Sequence, residues 1–371
     1  METVNAPHRQ RNTGNSPTTV TLFDGTRRLK RYAITFSVMT AALIAAVIAA
    51  CSLGPVSIPF SRTTAILAHQ LGLPAWTAFS DRELLVVAQV RLPRVLAGAM
   101  VGAALGISGA AMQGLFRNPL VEPGYVGVSS GAAFGAVAAL FFGWSRMSPW
   151  ALPSSAFLGA VAAAFLILGV WRGSRNRSIA SLLLLGIGIN ALLSAMINIM
   201  VASSSSEQEL RSIVFWLQGG LEARTWQHVG LIAIPVIAGS LVMTAFGRDL
   251  NAMLLGDEQA ASSGVNVRRT RFVLLLLASL VTGSAVAISG IIGFVGLVVP
   301  HVIRLLAGPD HRLLLPASAV GGAAFLVLAD LVSRLLLQPV TLQVGVVCAL
   351  VGAPLFLALI LKSRQGGGIT R

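Results

Sequence analysis

With 371 residues, 55% hydrophobic and only 11% charged side chains, the chain lies far from the roughly one-quarter charged content of soluble domains. Two cysteines, Cys51 and Cys348, exclude a disulfide scaffold, and both read as small buried hydrophobes in apolar runs. The net charge of +14, from 25 Arg, 2 Lys and 13 acids, punctuates hydrophobic runs without a basic–aromatic pattern, so nucleic acid is set aside and a polytopic membrane protein with basic loops on one side remains.

The first 32 residues are polar with no apolar core, so they are expected as a cytoplasmic tail and not as a signal peptide. Nine charge-free stretches then have the length of spans: 32–61, 95–116, 123–145, 147–171, 178–206, 225–247, 272–303, 313–329 and 335–361. Ala49-Ala50-Cys51 marks the end of the first. In the second, Gly98, Gly102 and Gly106 recur every four residues on one helix face. Small residues there let helices approach closely, within the chain by first expectation and in a dimer interface as the alternative.

The seventh stretch is too long for one span. As a single helix it would extend about 48 Å against a hydrocarbon core of about 30 Å, and Gly290-Ile291-Ile292-Gly293 is a natural break. Splitting it gives ten helices and puts 19 Arg and Lys inside against 8 outside, whereas nine helices give 15 against 12. The positive-inside bias selects ten, with both termini cytoplasmic. The fold class expected is therefore an all-α polytopic membrane protein with no soluble domain: a tail over 1–32, a permease domain over 33–362 and a tail over 363–371. Ile107-Ser108-Gly109 with Pro119, and Ile288-Ser289-Gly290 with Pro300, hint at an inverted internal repeat of the kind transporters use.

Chemistry is sparse. Asp330 and Arg334, at i and i+4, can pair near the end of the ninth span, and no acid lies at a midplane position, which argues against ion coupling. The only lysines, Lys30 and Lys362, are terminal, and no phosphate-cradling loop is present. His8, His69, His228, His301 and His311 are scattered. No catalytic residue, metal site or bound cofactor is expected, so the chain is read as a transport subunit and not an enzyme.

Three stretches carry a resemblance: RLPRVLAGAMVGAALGISGAAMQGLFRNPLVEPGYVGVSSGAAFGA at 91–136, LGDEQAASSGVNVRRTR at 255–271, and GIIGFVGLVVPHVIRLLAGPDHRLLLPASA at 290–319, continuing through LADLVSR to VGAPLFL. They resemble the permease subunits of bacterial ABC importers for iron–siderophores, haem and cobalamin. The resemblance implies ten spans, a homodimer in the inner membrane, two ATPase subunits that bind the ATP and Mg, and a periplasmic binding protein. It implies that Arg91, Arg94 and Arg334 receive carboxylates of the binding protein, and that Gly256, Asp257, Glu258, Ala260 and Gly264 belong to a coupling helix seated on the ATPase. Asn118 and Leu120, with Ser178 and Ser181 as a second pair, are candidates for an inner gate. Asn190, Met196 and Met200 are candidates for the path wall. Ala261, Ser263, Thr341 and Gln343 depart from the residues that relatives often carry. The expected cargo is an iron chelate, ferric siderophore or haem, with cobalamin as the alternative. The rival class is an ion-coupled secondary transporter.

Overall fold

The computed structural model describes residues 23–174, 179–337 and 340–366, and among them there is helix and no strand. The helices are α1 Phe23–Ser52, α2 Phe60–Gln70, α3 Asp81–Leu85, α4 Leu92–Phe116, α5 Val128–Phe141, α6 Ala151–Gly173, α7 Ile179–Ala202, α8 Glu207–Leu217, α9 Trp226–Ala245, α10 Gly247–Leu254, α11 Asp257–Ser262, α12 Val267–Ser289, α13 Val295–Ala307, α14 His311–Leu335 and α15 Val344–Gly366. Among the described residues, seven runs are long and apolar enough to cross a membrane, and α5, α13 and Val344–Ala358 of α15 are shorter apolar helices. These ten correspond to the ten spans expected.

The seventh stretch breaks where its glycines stand. α12 ends at Ser289, Gly290 turns the chain at φ 68°, and Phe294 at φ 67° starts α13. Several boundaries move. The first span stops at Ser52, and Pro59 opens a separate helix, α2, where a continuous span to residue 61 was expected. The second span starts well before residue 95, because α3 continues through a π-helical stretch, Val86–Arg91, into α4. Its 36 residues extend about 54 Å, so this rod outruns the hydrocarbon. The amphipathic α8 follows its N-cap Ser206, whose hydroxyl accepts from the Glu209 amide.

α4 is the central pillar, buried over most of its length. In its glycine row, Gly98 meets Leu221 while Gly102 and Gly106 face α14: a Cβ on Gly102 would overlap the Gly322 carbonyl, one on Gly322 would overlap the Gly102 carbonyl, and one on Gly106 would overlap Ser318 O. The row therefore serves intramolecular packing, not a dimer interface. Gly131 of α5 and Gly159 of α6 repeat the device. Cys51 and Cys348 are free and buried. The two Ile-Ser-Gly copies occupy different local structure, one inside α4 and one at the end of α12.

The bundle has two ends. One carries the last turn of α4, α10, α11 and the starts of α12 and α14. The other carries the end of α1, α2, α3, α8 and the start of α9, and exposes Trp76, Trp144, Trp150 and Trp226, an aromatic set suited to a membrane interface.

Candidate functional site: a helix clamp and a buried arginine cluster

At the α11 end, Gly256 takes φ 124° and lets the chain turn into α11, whose first turn carries Asp257 and Glu258 where acids suit the helix dipole. Gly264, at φ 86°, closes it: Gly264 N donates to Ala261 O and Val265 N to Ala260 O, both at 3.0 Å, a Schellman arrangement. The short helix expected over Asp257–Ser263, ended by Gly264, is thus present, one residue shorter. Ala260 is fully buried, while Ala261 and Ser263 are exposed.

Asp257 is the tie. Its carboxylate accepts from Arg271 at 2.8 and 2.9 Å and from Arg117. Arg117 occupies the left-handed C-cap of α4 at φ 49°, a conformation that costs a non-glycine residue about 1 kcal/mol or more. Burial pushes the Asp257 carboxyl up, but the bonds and charges of Arg271 and Arg117 outweigh it and hold it below the ordinary carboxylate value. One carboxylate thereby joins α11 to the end of α4 and the start of α12.

Next to this clamp, the 117–127 segment folds over α7 and α13. Asn118 Oδ1 accepts from Leu120 N at 2.9 Å, and Leu120 is exposed. Glu122 Oε2 accepts from Phe294 N at 3.3 Å across the α12–α13 break, and burial pushes its carboxyl up against that bond. Asn190 Nδ2 donates to Gly124 O at 3.4 Å. Ser181 lies in the first turn of α7 at the same end, and Ser178 falls outside the described residues. Along α7, Met196 is 40% exposed whereas Met200 is 8% exposed, packed among α5, α6 and α8 side chains. Met200 therefore belongs to the core of this subunit.

Sequence reading missed the polar network that continues from here. Gln113, buried in α4, donates to Gly296 O and Leu297 O and accepts from Arg304 at 2.9 Å. Asn251 of α10 donates to Asp310 at 2.6 Å and accepts from His311 N at 2.9 Å. These groups lie up to 191 positions apart and leave no local pattern. Among the described residues, no three His, Cys, Asp or Glu side chains converge as a metal cage.

At the opposite end the three expected docking arginines have partners inside the chain. Arg91 is 6% exposed and donates to Cys51 O at 2.8 Å, Ser52 O at 2.7 Å and Val56 O. Arg334 donates to Ala50 O at 3.1 Å. Both satisfy carbonyls left open at the end of α1, where positive charge also suits the dipole. Arg94 forks onto Asp330, and Arg334 reaches the same carboxylate at 3.1 Å, as its i, i+4 spacing allows. The cluster thus staples α1, α4 and α14, and of the three only Arg94, with 17% of its side chain exposed, offers an edge to an incoming carboxylate. Gln343 is buried beside Glu222, with Nε2 3.4 Å from its carboxylate.

A profile of the FecCD transport family matches residues 42–362, from the middle of α1 to the last turns of α15. The chain belongs to the FecCD transport family. It is 44% identical over 297 residues to a cobalamin import system permease protein, BtuC, of Halobacterium salinarum, covering 80% of this chain and 77% of that one. It is 42% identical over 299 residues to a hemin transport system permease protein, HmuU, of Yersinia pestis, covering 78% and 87%. A solved inward-facing conformation of an ABC transporter of metal-chelate type superposes with a TM-score of 0.79 at 33% identity, covering 89% of this chain and 99% of that one. This FecCD chain is a multi-pass ABC importer permease, a transport subunit.

Proposed function

We propose that two copies of this permease form the membrane path of an ATP-driven importer that carries a metal chelate into the cytoplasm by alternating access. The observation that carries this reading is the Asp257 clamp. Because Asp257 ties α11 to both α4 and α12, a displacement of α11 by an ATPase moves two core helices together. The α11 end is then cytoplasmic, as the arginine count supports, with both termini on that side of a bacterial inner membrane. ATP and Mg bind to two separate ATPase subunits, and this chain holds no cofactor. A periplasmic binding protein docks at the opposite end, meeting the Arg94 edge and the exposed Arg62 and Arg82 above the buried Arg91 and Arg334.

The wall of the path is the face of α7 that carries Leu192, Met196 and Ile199, all exposed, with the half-buried Asn190, held by Gly124 O, at its inner edge. Such a wall holds a bulky chelate weakly enough to release it. Leu120, Asn118 and Ser181 stand at its inner end as the gate. The cargo is an iron chelate, haem or ferric siderophore, a reading supported by the hemin permease among the relatives. Cobalamin is the second reading, supported by the cobalamin permease at 44% identity.

Proteoliposomes holding the permease with its ATPase and binding protein test this. Vanadate-sensitive, ATP-dependent accumulation of haem, a ferric siderophore or cobalamin is expected, and competition among the three names the cargo. Uphill uptake by the permease alone on a proton or sodium gradient would overturn the reading in favour of a secondary transporter.

A further inference from the structure

The last turn of α6 meets the first turn of α12 at the α11 end, and between them lies a cavity of about 340 Å³ lined by Trp171, Arg172, Asn266, Arg268, Arg269 and Phe272. Its chemistry is one-sided. Arg172 lies over the Phe272 ring, 5.3 Å from its centroid, while Arg268 and Arg269 are exposed. Among the described residues, none of these three arginines has a carboxylate within ion-pair distance; the nearby Asp257 is taken by Arg117 and Arg271. The first turn of α12 carries no acid and its N-cap is the neutral Asn266, whose Oδ1 accepts from Arg269 N, so two guanidinium groups stand against the positive end of the helix dipole with no carboxylate among the described residues to offset them.

The depth of the cavity identifies its occupant. α6 is apolar from Ala151 to Val170 and leaves the hydrocarbon at Trp171-Arg172. The apolar run of α12 begins at Phe272, one turn beyond Arg268 and Arg269. Both helix ends therefore place arginine at headgroup level, while Trp171, 4% exposed, packs into the core behind it. Along α6 toward the hydrocarbon, Phe165, Leu166 and Val170 are exposed, an apolar surface for which a soluble anion has no use. We propose that this cavity binds the phosphate of an anionic phospholipid, with guanidinium groups on the headgroup oxygens and an acyl chain along α6. Clusters of arginine between helices at the cytoplasmic face recognise such headgroups, and the guanidinium fork suits phosphate. The lipid would brace the start of α12 one turn from Arg271, which holds the α11 clamp. The proposal needs the α11 end to face an anionic leaflet and is independent of the cargo.

Native mass spectrometry of the full chain, released from detergent with equal amounts of phosphatidylglycerol and phosphatidylcholine, tests it. Retention of phosphatidylglycerol is expected to exceed that of phosphatidylcholine by about fivefold per engaged arginine. The double variant R268Q/R269Q is expected to lose most of the preference and keep no more than the share of Arg172, R268K/R269K to keep most of it, and R146Q, at the opposite end, to keep all of it. A readout that needs no variant is the thermal midpoint of the wild-type chain, which phosphatidylglycerol raises and phosphatidylcholine does not. Equal retention of the two lipids by the wild type, or full preference in R268Q/R269Q, overturns the proposal. Removal of the bound lipid by millimolar inorganic phosphate overturns it in favour of a free-anion site. Loss of ATPase co-purification in R268Q/R269Q with lipid retention intact overturns it in favour of a protein contact.

Discussion

Arg94 and Asp330 stand 236 positions apart and meet in a forked ion pair, 2.8 Å from a terminal guanidinium nitrogen to Oδ1 and 3.0 Å from Nε to the same oxygen. Arg334 takes the other oxygen at 3.1 Å, so one carboxylate, 2% exposed, offsets two guanidinium groups. Removing the acid leaves both cations in a poorly solvated site, a loss of about 3–5 kcal/mol. Asp330→Ala is therefore expected to lower the thermal midpoint of the detergent-purified permease steeply, and Asp330→Asn, which keeps an acceptor without the charge, to fall between. Arg94→Ala should cost less than Asp330→Ala, because Arg334 still pairs. An Asp330→Ala midpoint equal to the wild type would show that the pair supports nothing.

The α4–α14 seam gives a sharper steric test. A Cβ on Gly102 overlaps the backbone of Gly322, and backbone cannot step aside as a flexible side chain does. Gly102→Ala and Gly322→Ala are expected to force the two helices apart and to reduce the yield of folded permease severely. Gly230, in α9, has open space at the corresponding position, so Gly230→Ala should be neutral or slightly stabilising through its better helix propensity. Parallel yields and midpoints for the three variants decide the matter; equal behaviour would remove the seam.

Those two cases also mark what the chain discloses before folding. Hydrophobic runs, Gly290 to Gly293 and the arginine imbalance suffice for ten helices, because span length and loop charge are local quantities. The glycine row of α4 and the Asp330–Arg334 pair are likewise written at helical spacing. Arg94 with Asp330, Glu122 with Phe294, and Gln113 with Arg304 are joined only by the fold, and no periodicity announces a partner so distant. The three outer arginines illustrate the limit: their position near span ends is readable, but their commitment to the carbonyls of α1 is not. Helix ends are hidden for a related reason. Polar turns such as Asp81–Leu85 continue a membrane helix beyond the bilayer, where hydropathy no longer reports it.

Glu122 sets a pH dependence. Burial raises its carboxyl above the ordinary value, so the native state favours the protonated form. Below the ordinary glutamate value of about 4.3, both folded and unfolded chains hold the proton and the residue costs nothing. As pH rises from there through the raised native value, stability is lost. Glu122→Gln keeps an acceptor for Phe294 N and removes the charge. It should melt higher than the wild type at neutral pH, with the difference shrinking as pH falls toward 4. A difference that stays constant across that range would refute the assignment.

Asp257 behaves in the opposite sense. Its carboxyl is held low by two arginines, so the clamp is complete at neutral pH and loosens only as pH falls through the depressed value. Because the carboxylate is 46% exposed, each pair is worth no more than about 1 kcal/mol. Asp257→Asn should therefore leave the thermal midpoint nearly unchanged. Its effect belongs to coupling: the assembled transporter is expected to hydrolyse ATP while moving less cargo per ATP. Transport and hydrolysis falling in equal proportion would instead mean that the variant merely detaches the ATPase.

Met196 and Met200 lie one turn apart on α7 and face different surroundings, 40% and 8% exposed. If Met196 lines an aqueous path, a membrane-impermeant maleimide should label Met196→Cys and spare Met200→Cys. The native thiols of Cys51 and Cys348 are fully buried, so background labelling should be low without removing them. Labelling of Met196→Cys by an apolar, lipid-soluble reagent alone would place that face of α7 against the bilayer. Labelling that changes when ATP and vanadate trap the assembled transporter would tie the same face to alternating access, because a wall that opens to each side in turn must change its exposure to water.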